Sequence, residues 1–87
     1  MKRDLPIESD IERRFRALAA DIVSKRVRPN GLTGIRLYRD SQFELAARDL
    51  EDAAQRAVAR DAFCHEFSKR LHERFRDHPL AKVGLLV

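Results

Sequence analysis

At 87 residues, with 18 Lys and Arg against 14 Asp and Glu, the chain has the length of one domain and is basic by only four charges. Its 44% apolar and 37% charged residues make a soluble, foldable balance, and no apolar run nears the ~20 residues of a membrane span. One cysteine excludes an internal disulfide, and the size excludes a metal-finger array or a large enzyme. A single domain over 1–87 in a reducing, cytoplasmic setting is expected, since the charged N-terminus lacks the apolar stretch of a secretion signal. Eleven alanines leave 25 Leu, Ile, Val, Phe and Met side chains, enough for one small core.

The first element is written clearly. Ser9 and Glu12 have capping-box spacing, in which the hydroxyl accepts from an early backbone N–H and the carboxylate reaches back. Ile11, Phe15, Leu18 and Ile22 follow at steps of four, three and four, with Ala19 and Val23 widening the stripe. Asp10 and Glu12 at one end and Lys25 and Arg26 at the other complement the helix dipole, and Pro29 with Asn30-Gly31 stops it. A helix over 9–27 is predicted.

Residues 28–40 open with turn chemistry and contain a second glycine, Gly34. Ile35, Leu37 and Tyr38 suit a short strand, and the apolar tail 82–87 suits its partner. Ser41 and Glu44 then repeat the capping-box spacing, and no Gly or Pro recurs before Pro79. One helix over 41–77 would be ~55 Å long, against a diameter of ~30 Å for a compact chain of this size. Phe43, Ala47, Leu50, Ala54 and Ala57 form one stripe; Phe63, Phe67, Leu71 and Phe75 form another, ~200° away around the axis. A bend near Ala59–Asp61 reconciles both facts, with Asp61 as N-cap. The expected fold is therefore mainly α, a small three-helix domain with helices at 9–27, 41–59 and 61–77 and room for a two-stranded element pairing 35–38 with 82–87.

No constellation for catalysis emerges. Cys64, His65, His72 and His78 fall close in sequence, but His65 and His72 stand two turns apart and Cys64 points ~100° from His65, so no metal and no cofactor is expected. Sequence neighbours on a helix do not face each other, which separates Cys64 from His65 as a nucleophile–base pair. Gly31-Leu32-Thr33-Gly34 is too short for a phosphate loop, and its resemblance in spacing to a KH backbone clamp stands alone. A helix-turn-helix over 41–77 lacks its glycine turn. An enzyme is not expected.

Two features point to binding. Residues 25–39 carry Lys25, Arg26, Arg28, Arg36 and Arg39 with no acidic residue, +5 in fifteen positions. Basic side chains around glycine-freed N–H groups suit anionic contacts, and Tyr38 suits stacking on a base. The phenylalanine stripe Phe63, Phe67, Leu71, Phe75 is read first as core and second as an interface, because it and the tail exceed what three short helices hide. The function expected is a small non-enzymatic protein that docks on a protein partner or multi-subunit complex, of the accessory or inhibitor type encoded by phages and mobile elements. Its competitor is a basic nucleic-acid-binding regulator using the 25–39 turn. A homodimer is compatible with either, and no membrane partner is expected.

Overall fold

The computed structural model describes residues 9–79, and within them the chain is three α-helices with no strand. α1 spans Asp10–Lys25, α2 Ile35–Ala46 and α3 Ala53–Phe75, with a single 3-10 turn at Pro29–Gly31 between the first two. α1 is the helix its sequence announces. The Ser9 N–H donates to Glu12 Oε1 at 2.9 Å while the Glu12 N–H donates to Ser9 Oγ at 3.3 Å, closing the capping box. Those bonds from the Ser9 backbone and hydroxyl hold the Glu12 carboxyl below the ordinary glutamate value. A carboxyl depressed in the folded state stabilises at pH above its unfolded value, and that contribution is lost as pH falls through the folded one. Ser9→Ala is therefore expected to cost about 1 kcal/mol at neutral pH. Urea titrations should show the gap between wild type and this variant shrinking below the glutamate range.

Two boundaries differ from the sequence expectation. Residues 35–38 are not a strand but the first turn of α2, and the proposed partner segment 82–87 lies outside the described residues. Gly34, at φ +79° in the left-handed region that glycine adopts without strain, is the N-cap and turns the chain into α2. Ser41, expected to start a helix, sits inside one. The interruption falls at residues 47–52, not at Ala59–Asp61. Asp52 is the N-cap of α3, its carboxylate accepting from the Ala54 N–H at 3.1 Å, and α3 runs unbroken through Asp61. The 200° offset between the two stripes arises because Phe43 and Phe63 lie on different helices.

The sign of one substitution separates these accounts. In a continuous helix Asp61→Ala should stabilise by up to about 0.5 kcal/mol, because alanine is the better interior residue. At an N-cap it would cost about 1 kcal/mol. Asp52→Ala is expected to show the cost, and Asp61→Ala the gain, in paired thermal melts.

Contacts at the helix ends fix the topology. Ile11 lies beside Ala54 and Val58 at the start of α3, and the Arg74 guanidinium near the end of α3 donates to the carbonyls of Val23 and Val27 at the end of α1. α1 and α3 are thus parallel neighbours. α2 runs back between them, from Tyr38 beside Arg26 and Val27 to Ala47 beside Arg56. At 23 residues α3 is ~35 Å long, within the 42 Å long dimension of the molecule. The core is centred on Phe15, Phe43 and Phe63, one ring from each helix, with ring centroids 5.6–6.5 Å apart at tilted and edge-on angles. Phe67, Leu71 and Phe75 extend it along α3 against Ala19, Ile22, Val23 and Val27.

Candidate functional site

Where α1 ends and α2 begins, the chain must turn through the 3-10 segment, and its first link is Pro29, which supplies a fixed φ. Val27, Leu32 and Ile35 anchor this corner in the core. Their backbone is tied by Gly31 N–H to Arg28 O at 2.9 Å and Ile35 N–H to Leu32 O at 3.1 Å. Between these anchors the surface is concave. An open recess of about 350 Å³ is lined by Arg26, Arg28, Asn30, Thr33, Tyr38 and the glycine backbone over a floor of Val27 and Ile35.

The electrostatics of the recess are one-sided. Among the described residues no carboxylate lines it. α2 starts here without a side-chain cap and without an acidic residue in its first turn, so its electropositive end is uncompensated. Arg26 donates to Gln42 Oε1 at 3.2 Å, a neutral partner that positions the guanidinium and leaves its charge uncancelled. Arg28 makes no hydrogen bond or ion pair among the described residues.

The six basic-turn residues singled out from the sequence separate in space. Arg26, Arg28 and Tyr38 line the recess; Lys25, Arg36 and Arg39 do not. Lys25 pairs with Asp21 one turn back at 2.9 Å. Arg39 pairs with Asp40 at 3.0 Å and is largely covered. Arg36 is exposed, outside the recess, with no partner among the described residues. Tyr38 packs against the core, so its ring is only partly open as a stacking surface. Asn30 and Thr33 were legible only as turn residues; nothing in their spacing marks them as lining a recess.

The other candidate surface, Phe63, Phe67, Leu71 and Phe75, lies wholly inside the monomer core, each residue buried. None of the four is available to a partner without opening the bundle. Shallow grooves between α1 and α3 around Ala17 and Ala20 are lined by Arg13, Arg16, Lys69, Arg70 and Arg74 together with Glu66 and Glu73, and both of these carboxylates pair with Arg70. Arg70 donates to the buried Glu66 at 2.6 Å, and that carboxylate holds the guanidinium in its charged form, raising its pKa. Among the described residues no three His, Cys, Asp or Glu side chains come together as a metal site. Cys64 packs against the core while His65 is exposed. The His72 Nε2 is buried without a hydrogen-bond partner among the described residues.

Comparison with known proteins adds no relative: no family model, no curated protein and no solved structure matches the chain.

Proposed function

We propose that the protein is a small non-enzymatic binding protein that docks on a protein partner through the α1–α2 corner, with a carboxylate of that partner entering the basic recess. The observation that carries this reading is the carboxylate-free lining around Arg26 and Arg28 at the uncapped start of α2. Arginine forks suit bidentate contact with a planar carboxylate, and loops on rigid supports are where binding residues concentrate.

The extent of free positive charge favours a protein over a nucleic acid. Of the five cations in residues 25–39, two are paired with aspartates and one is held by Gln42, which leaves Arg28 and Arg36 without partners among the described residues. Two or three phosphate contacts would give a log–log salt slope of only about −2 to −3, against the 6–10 contacts of proteins that bind duplexes tightly.

The test pairs two measurements on the purified protein. Affinity capture from the native host, read by quantitative mass spectrometry, should enrich a defined protein with wild type and lose it at least tenfold with a folded Arg26→Ala/Arg28→Ala variant. Titration with duplex and single-stranded DNA at low salt should show no saturable binding. Tight DNA binding with a slope steeper than about −4 would replace this reading with the nucleic-acid regulator.

A further inference from the structure

Gly31 and Gly34 both line the recess, and the fold accounts for only one of them. Gly34 is held at φ +79°, where a residue with a Cβ is strained. Gly31 has no positive φ, and a Cβ built on it meets no atom within 4 Å. Neither backbone conformation nor space requires glycine there. What the residue leaves at the edge of the recess is bare main chain, which another main chain can approach closely. Beside it, Thr33 and Gly34 are exposed, and among the described residues their N–H groups donate no hydrogen bond. Successive unpaired N–H groups leading into a left-handed residue make a concavity that suits an anion.

The shape of the recess narrows the choice of carboxylate. Its lining is one bend of chain from Arg26 to Tyr38, to which α3 contributes nothing. Its volume of about 350 Å³ is at the small end of ligand pockets. A segment passing through has to enter and leave so small a space, whereas a chain end has only to enter. The floor is hydrocarbon, Val27 and Ile35, and both are almost wholly covered, so it offers a seat for a small apolar side chain. The carboxylate of an Asp or Glu side chain engages the arginines and leaves that floor without a partner. A C-terminal residue carries its carboxylate, its side chain and a peptide group within one residue's length. It therefore matches the guanidiniums, the floor and the polar Asn30 and Thr33 together.

We infer, building on the recess as a carboxylate site, that it captures the C-terminal carboxylate of a partner chain whose last residue is small and apolar. Arg28 takes the carboxylate, and Arg26, steadied by Gln42, adds a second charge beside it. The last side chain lies on Val27 and Ile35, and the preceding peptide passes over Gly31.

The test titrates three acetylated tetrapeptides into the full chain and follows its amide proton–nitrogen shifts. The first ends in valine with a free carboxylate, and the second is its C-terminal amide. The third is also an amide but carries one internal glutamate, which gives it the same charge as the first. The free acid should bind saturably with a Kd of about 0.1–1 mM. The other two should bind at least tenfold more weakly. Gly31→Leu should keep the helix signal and thermal midpoint of the wild type and weaken the free acid at least tenfold. If the glutamate peptide binds as tightly as the free acid, the inference fails while the recess remains a carboxylate site. If none of the three binds, both fail. A folded Gly31→Leu variant that binds the free acid normally also overturns the inference. Should that variant not fold, the comparison of the three peptides decides alone.

Discussion

Phe63→Ala is expected to bring the protein close to global unfolding. Phe63 is fully buried and touches the rings of Phe15, Phe43 and Phe67 at centroid distances of 6.5, 5.6 and 5.7 Å. It is the ring through which α3 meets both other helices, so no neighbour can move to fill the space without separating two of them. Large-to-small changes at such sites cost about 3–5 kcal/mol. At 0.05–0.15 kcal/mol per residue, a chain of this length holds about 4–13 kcal/mol in total. A fall in thermal midpoint of at least about 15 °C should follow. Phe63→Leu keeps most of the volume and should cost about 1–2 kcal/mol. Equal, small effects of the two substitutions in urea denaturation would contradict the packing described.

The second large effect is expected at Arg56, a residue whose importance no sequence pattern announces. Its Nη1 donates to the carbonyls of Ala47 at 2.6 Å and Leu50 at 3.1 Å, and its Nη2 to Glu44 at 2.7 Å. One guanidinium thus holds the last turn of α2 and the loop after it onto the start of α3, donating to the Leu50 carbonyl and adding a second donor to the Ala47 carbonyl, which also accepts from the Leu50 N–H. Hydrogen bonds from a charged donor are each stronger than neutral ones, but the side chain is about one-third exposed, so Arg56→Ala is expected to cost about 2 kcal/mol. Lysine cannot span three acceptors from one point charge, and Arg56→Lys should recover less than half. Amide hydrogen exchange should quicken first in α2, the helix with fewest ties to the rest. Uniform quickening across all three helices would mean that α2 does not open on its own. Arg74 serves the end of α1 in the same way, eighteen residues and five turns further along the same face of α3.

These two arginines mark the boundary of what was legible. α1 was the most legible element because its cap and stripe are local, and both are made by the residues that suggested them; it ends at Lys25 with Arg26 as C-cap, two residues short of the expected end, and Pro29–Gly31 form the 3-10 turn that follows. The α2–α3 boundary was not legible, because two local signals pointed elsewhere. Ile35-Arg36-Leu37-Tyr38 has strand propensity, yet four residues weigh little against a glycine that turns the chain into a helix at once. Ser41 and Glu44 mimic a capping box inside α2, while the cap in use, Asp52 with Gln55 three residues on, has the weaker form of the same spacing. A compact chain of this length requires a break between residues 41 and 77, and the offset of the phenylalanine stripes places it only between Phe43 and Phe63.

The candidate site was legible as charge and not as geometry. A count of cations in residues 25–39 treats all five alike. Folding pairs Lys25 with Asp21, a relation visible at i,i+4, and Arg39 with the next residue, Asp40. What it gathers with Arg26 and Arg28 is mostly backbone: the uncapped start of α2 and the glycines before it. The phenylalanine stripe was equally clear as a stripe; whether it faces a core or a partner depends on how many rings the other helices bring, and Phe15 and Phe43 fill that role.

The most direct test of the docking site needs no partner in hand. Amide proton–nitrogen spectra of the labelled protein, recorded while succinate is added as a minimal carboxylate probe, report where a carboxylate settles. Saturable shifts confined to the amides of residues 28–38, with millimolar affinity and lost in Arg28→Ala, are the result expected. Shifts scattered over the surface, or centred on the α1–α3 grooves and unchanged in Arg28→Ala, would contradict the assignment of the α1–α2 corner.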